Sequence, residues 1–333
     1  MNRLKITVAQ NGTFIAVLAL VAFFSMMHPR FLSVGNAQTI LLQIAELGII
    51  ALPLAFLVMA GTLDLSVGSV ASLSAVVAGL TMVGTGNAGL GFLAAIGVGL
   101  VTGALNGLLV AYLKLNALVI TLGFLSVWGG LALFLTKGAT VTGFPENFTS
   151  LSTFAFGPVS LQVLILALFT AAAWYLLNRL PMGRNVLAVG GNSRAAHLMG
   201  INVQRTQFLL FVLTSVCAAI AGVLLAAKLY SAPPTVGSGM EIQALTVVLL
   251  GGVALEGGAG RISGVIAGLL FVGVLRNGLV IMGVSQFLQT ILIGATLIVA
   301  VLLDGSVQRL LKRTWSNVGS SSASAPPAVV SAK

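Results

Sequence analysis

Residues 38–60 read QTILLQIAELGIIALPLAFLVMA. The stretch is almost continuously apolar, with Gln43 and Glu46 as the polar groups well inside it. As a helix rising about 1.5 Å per residue, it covers the roughly 30 Å hydrocarbon core of a bilayer. It lacks the polar–apolar alternation of a barrel strand, and a helix satisfies its own backbone where water is absent. Nine further runs stand out by the same ruler, at about 12–28, 67–84, 89–112, 117–136, 159–177, 207–227, 241–256, 262–282 and 285–303. Punctuating residues separate the early ones: Pro29 and Arg30, Gly61 to Asp64, Gly84 to Asn87, and Lys114 to Asn116. The expected fold is all-α, a polytopic membrane protein with about ten transmembrane helices. The run at 241–256 is short, so it is either tilted or partly re-entrant.

Composition points the same way. Of 333 residues, 58% are hydrophobic and 7% charged, against about 25% charged in a soluble domain. So few charges cannot cover a water-facing surface, which excludes a soluble enzyme, a disordered chain and a nucleic-acid module. The net charge of +10 is thinly spread and reads as a topology signal. Cys217 is the one cysteine, so neither a disulfide framework nor a cysteine-rich metal site is expected. Arg3 and Lys5 precede the first run. No small-x-small cleavage site follows it, so it reads as a retained span and not a signal peptide.

Ten spans put both termini on one side. With a cytoplasmic N-terminus, the inside carries Arg3, Lys5, Lys114, Arg179, Arg184, Arg194, Arg205, Arg261, Arg309, Lys312, Arg313 and Lys333. The outside carries Arg30, Lys137 and Lys228, and Arg276 falls within a span. This asymmetry follows the positive-inside rule, so both termini are expected in the cytoplasm. Residues 1–313 form the membrane domain. Residues 314–333, rich in Ser, Ala and Pro, are expected to be a disordered cytoplasmic tail.

Nothing in the chain supports catalysis. Gly84, Gly86 and Gly89 have dinucleotide-fingerprint spacing but no preceding strand, so they read as a turn. The glycines at 251–258 lack the Lys-Ser/Thr of a phosphate loop. His28 and His197 have no acidic partner nearby, so no metal site and no cofactor are expected. Gly99, Gly103 and Gly107 line one helix face, where a second backbone can approach. Asn106, beside that stripe, can bond across a helix pair or face a passage.

Ionisable groups in a span are costly and usually face a cavity or a partner. Glu46 either pairs with another helix, for instance through Arg276, or faces a wet path. Residues 179–207 hold four arginines and no acid. Within them, Asn192 or Ser193 can cap a short helix and Gly200 suits the position past its end. Ala195, Leu198 and Met199 share its apolar face, while Arg194 and His197 point elsewhere. A two-turn helix is not stable alone. It must dock on the protein's own rim or on a soluble partner.

These residues resemble a known family. GTLDLSVGS (61–69) is similar to the Asp-Leu-Ser-Val-Gly-Ser signature of ribose-type ABC transporter permeases. GGNSRAAHLMGINV (190–203) looks like their cytoplasmic coupling segment. VLLGG (248–252) with GGAGRISG (257–264), and Asn277 with Gly278 and Leu279, resemble two further signatures. The acid at 46 followed by IIALPL (49–54) is similar to permeases of the autoinducer-2 importer, which are close relatives.

The resemblance implies a multi-pass subunit of a binding-protein-dependent importer in the bacterial plasma (inner) membrane. A second permease subunit, in a homodimer or heterodimer, would complete the passage through the membrane lipid. Separate ATP-binding-cassette ATPase subunits would hydrolyse ATP. An extracytoplasmic solute-binding protein would deliver a monosaccharide or sugar-like solute. Gly191, Asn192, Ser193, Arg194, Ala195, Ala196, Leu198, Met199 and Gly200 would couple to the ATPase.

A sugar carries hydroxyls and no charge, so its path needs small residues and a few amides. Gln43, Glu46, Asn106 and Asn277 are the candidate lining groups. Asp64, Ser66 and Gly68 form a candidate gating turn, in which Asp64 and Ser66 can cap the third span while Gly61 and Gly68 relax the backbone. Two other functions remain open on the residues. An ion-coupled secondary transporter would use Glu46 and Asp64 as ion sites. An amino-acid permease would bind a zwitterion through Glu46 and Arg276.

Overall fold

A computed structural model of the protein describes residues 2–157 and 159–302. The tail at 314–333 and the basic residues Arg309, Lys312, Arg313 and Lys333 lie outside the described residues. Helices dominate: α1 (Asn2–Met27), α2 (Val34–Met59), α3 (Val67–Thr85), α4 (Ala88–Gly107), α5 (Ala117–Thr136) and the short α6 (Glu146–Thr153). After a two-residue hairpin, Ala155–Phe156 with Val159–Ser160, come α7 (Leu161–Arg179), α8 (Pro181–Gly191) and α9 (Ser193–Leu198). The chain continues through α10 (Val203–Leu229), α11 (Met240–Leu250), α12 (Ile262–Ile281) and α13 (Gln286–Leu302).

Among the described residues, seven helices are long and apolar enough to cross a membrane: α2, α3, α4 with its π-helical end at Leu108–Tyr112, α5, α7, α10 and α12. The apolar part of α1 (Gly12–Met27), α11 and α13 are shorter. The expected run at 241–256 is cut back. Its helix stops at Leu250 because Gly251 and Gly252 follow, with Gly252 at a φ of +76°. Eleven residues at about 1.5 Å each give roughly 16 Å, about half a bilayer.

The α2 helix is the centre of the core. It is apolar all round and buried from Ile44 to Met59, as expected for a helix packed on every face. Helices α7, α10, α11 and α12 surround it. Most of α5 and α7 faces outward.

The glycine stripe packs within the chain. A Cβ at Gly103 would lie 2.7 Å from Val212 Cα, and one at Gly99 would lie 2.8 Å from Val216 Cα. The backbones of α4 and α10 therefore touch, as small residues permit in a membrane. The expected turn at Gly84–Gly89 also holds. Gly86 ends α3 in the left-handed region, and the Asn87 side chain caps α4 by accepting from the amides of Gly89 and Leu90.

Two non-helical segments reach into the packed interior. Residues 60–66 join α2 to α3, and residues 231–239 join α10 to α11. The second pairs Ala232 with Val141 by two backbone hydrogen bonds. It then runs along α3, where the Gly237 amide donates to Ser72 Oγ at 2.9 Å.

Candidate functional site

The short helix α9 begins where expected. The Asn192 side chain caps it, accepting from the Ala195 amide at 2.9 Å, and Gly200 takes a φ of +83° just past its end. Ala196 is the residue turned inward. Leu198 and Met199 are 84% and 83% exposed. Of the two docking surfaces open to the apolar face, the protein's own rim is therefore not the one that covers these two side chains.

Two residues before the cap, three chain segments meet backbone to backbone. The Gly258 amide donates to the Met59 carbonyl at 2.8 Å. A Cβ at Gly190 would overlap that carbonyl, and one at Gly257 would lie 2.8 Å from Gly61 Cα. Gly61, Gly257 and Gly258 have φ values of +76°, +88° and +78°, which other residues rarely adopt. The end of α2, the end of α8 and the loop after α11 are thus joined through glycines that admit no side chain. These glycine pairs lie far apart in the sequence; their meeting is a tertiary fact.

The turn after Gly61 holds a buried polar cluster. Asp64 Oδ1 accepts from the Ser66 amide at 2.8 Å and from Ser66 Oγ at 2.6 Å. Asn106 Nδ2 donates to Asp64 Oδ2 at 3.0 Å and to Ser66 Oγ at 2.8 Å. Burial pushes the Asp64 pKa up, and the bonds from Ser66 and Asn106 oppose that shift. The cap expected here takes another form. Ser66 occupies the N-cap position of α3, but its hydroxyl makes no cap bond, because the carboxylate and the Asn106 amide occupy it.

Gly68 also acts differently from expectation. It lies inside α3 and relaxes no turn. Its missing Cβ makes room for Glu241 Oε2 and for the Gly237 carbonyl, 2.5 Å from where that Cβ would be. Glu241, at the start of α11, accepts from the Gly239 amide through Oε1 at 3.2 Å, while its buried Oε2 has no hydrogen-bond partner among the described residues. Glu241 is not among the candidate site residues, although an acid opening a short apolar helix is a signal visible in the sequence.

Glu46 pairs with Lys228, not with Arg276. The Lys228 ammonium lies 3.1 Å from Glu46 Oε1 and donates to the Leu42 carbonyl at 2.9 Å. Lys228 sits in the last turn of α10 and its long stem lets the charge turn inward. Among the described residues Arg276 has no ion pair. Gln43 is half-buried and Asn277 buried; Gln43 Oε1 and Asn277 Oδ1 accept no hydrogen bond from a described residue. Of the four candidate lining groups, Glu46 and Asn106 are thus tied to different partners.

Residues 36–301 match the family described as "Branched-chain amino acid transport system / permease component". The chain is 36% identical to the ribose import permease protein of Escherichia coli K12 over 308 residues, 91% of this chain and 96% of that protein. It is 37% identical to the ribose import permease protein of Bacillus subtilis 168, over 88% of this chain and 92% of that one. It is 34% identical to the L-arabinose ABC transporter permease protein of Azospirillum brasilense, over 89% and 87%. The chain belongs to this ABC transporter permease family. No solved structure shows a significant match.

The permease is therefore a multi-pass membrane subunit of a transport system. Membership removes the ion-coupled secondary transporter from consideration. The Asp64 cluster and the glycine junction fall within the matched residues of the permease, as do α8 and α9.

Proposed function

We propose that the chain is the membrane-spanning subunit of a binding-protein-dependent importer that carries a monosaccharide or sugar-like solute across the bacterial inner membrane. Its relatives bear the names of ribose, arabinose and allose systems. The seven long helices, α1, α13, and the half-length α11 together with the non-helical segment 231–239 before it make ten spans, and both termini are cytoplasmic. This orientation places α8, α9 and the glycine junction in the cytoplasm.

One observation carries the mechanism: Leu198 and Met199 are exposed at the end of α9, and Gly191 and the Asn192 cap join that helix to the glycine junction. An ATPase subunit takes these two side chains into a groove. When two ATPase subunits close on ATP, they move α8 and α9 as a lever. Backbone contact at Gly190 and Gly258 passes the motion to the end of α2 and to the loop between α11 and α12. The Asp64 turn follows, since Gly61 begins it. A second permease subunit completes the path, which Gln43 and Asn277 help to line, and an extracytoplasmic binding protein supplies the solute.

The test is purification from native membranes in mild detergent, with wild type beside Leu198→Glu. An ATPase retained by wild type and lost from the variant, at unchanged thermal stability, supports the reading. An ATPase retained equally by both sinks it. Reconstituted with its ATPase and binding protein, the wild type should transport labelled ribose or arabinose only with ATP.

A further inference from the structure

A cavity of about 600 Å³ opens on the membrane-facing side of the protein between α1, α2, α7 and α12. Its walls are apolar and include Phe14, Ile44, Leu166, Trp174, Ile262 and Leu270. It touches neither the Asp64 cluster nor α9. Along α7 it runs from Val163 to Trp174, about 16 Å at the helical rise. That is about the depth of one leaflet of a roughly 30 Å core.

One end of this groove is charged. It is the end where α7 stops and α12 starts. Arg179 closes α7, with its guanidinium 5.8 Å from the centroid of the Trp174 ring that lines the groove. Arg261 precedes Ile262 as the N-cap residue of α12. Both arginines are exposed, and among the described residues neither has an ion-pair partner. Glu256, the acid in the loop before Arg261, is exposed and makes no ion pair with it.

An apolar trough one leaflet deep, ending in two unpaired guanidinium groups, matches one molecule in its chemistry. We propose that the groove is a specific site for an anionic glycerophospholipid. One acyl chain lies along α7 between α2 and α12, and the phosphate is held by Arg179 and Arg261. Arginine pairs planar hydrogen-bond donors with phosphate oxygens, and basic pockets at the ends of membrane helices select anionic headgroups. Trp174 is a rigid wall at the level where chain meets headgroup, and it stacks with the arginine above it. A zwitterionic lipid would bring its own cation to the same two arginines and bind less well. The site would tie α7, which leads into α8, to the core of the bundle in a lipid-dependent way.

The test uses the full-length permease in detergent with phosphatidylglycerol or phosphatidylcholine added, read by native mass spectrometry. Wild type should retain phosphatidylglycerol at least tenfold better than phosphatidylcholine. Arg179→Gln with Arg261→Gln should abolish that preference while leaving thermal stability in lipid-free detergent unchanged. Ala167→Trp, at an exposed position lining the groove, should lower retention of both lipids. Equal retention of the two lipids by wild type, or a preference that survives the double arginine change, overturns the proposal. So does a disulfide between copies formed by Ala167→Cys, because it would show that a second copy of the chain fills the groove.

Discussion

Lys228 Nζ sits 3.1 Å from Glu46 Oε1 and 3.2 Å from Glu46 Oε2, and 2.9 Å from the Leu42 carbonyl one turn earlier in α2. A single ammonium thus neutralises the acid of the central helix and donates to a backbone carbonyl of the same helix as a third partner. The pair fastens the last turn of α10 to α2. It also explains how a carboxylate that is 2% exposed is tolerated in the packed core.

Lys228→Met should leave Glu46 buried without its cation. Removing one member of a buried pair costs about 3–5 kcal/mol. Lys228 is 33% exposed, which weakens the pairing and brings the expected loss to about 2–3 kcal/mol. Thermal unfolding of Lys228→Met, Glu46→Gln and the double change should show the double variant recovering most of the loss. Losses that simply add would mean the two residues do not act as a pair.

Gly190→Ala and Gly191→Ala should differ although the residues are adjacent. A Cβ at Gly190 meets the Met59 carbonyl and, at 2.5 Å, the Gly258 amide. Backbone cannot step aside, so overpacking should cost about 1–3 kcal/mol and break the link from α9 to α2. At Gly191 the nearest atom is 4.0 Å away, and alanine should change stability by no more than about 0.5 kcal/mol. In reconstituted vesicles, Gly190→Ala should hydrolyse ATP without matching transport, whereas Gly191→Ala should do both. Full transport by Gly190→Ala would argue against the junction as a lever.

Asn106→Ala should destabilise the turn between α2 and α3. It strips one donor from Asp64 Oδ2 and from Ser66 Oγ, both buried. An orphaned buried polar group costs about 1–3 kcal/mol. Asn106→Asp should be worse, because it sets a second carboxylate against Asp64. The ranking wild type, alanine, aspartate should appear in thermal unfolding. An aspartate variant as stable as wild type would show that the cluster is not closed as described.

Leu198→Glu and Ala196→Glu should fail for different reasons. Leu198 is exposed, so its change should remove the partner and leave the melting temperature alone. Ala196 is buried at 4%, so a carboxylate there should unseat α9 from the protein itself, at a cost of about 1–3 kcal/mol. Co-purification and thermal unfolding together separate the two. A melting temperature unchanged by Ala196→Glu would contradict the inward placement of that residue.

Much of the architecture could be read locally. Partition of a twenty-residue apolar run into lipid depends on that run alone, so α2, α3, α5 and α12 begin and end within a few residues of expectation. Caps are also local, since Asn192 needs only the amide three residues on. The run at 241–256 is short in the sequence and shorter as a helix, because hydropathy does not register that Gly251 and Gly252 halt it.

The sequence by itself determined that the chain crosses a membrane and that residues 193–198 form a short capped helix. Each of these follows from composition or from contacts within one turn. Only the tertiary structure decided that Glu46 meets Lys228, 182 positions away, and not Arg276. The same holds for Asp64 meeting Asn106, for Gly68 making room for Glu241, and for Gly61, Gly190, Gly257 and Gly258 closing on one another. Such pairings depend on which helix faces which and at what depth. A buried charge or a bare backbone takes whatever partner that packing presents, and sequence separation carries no information about it.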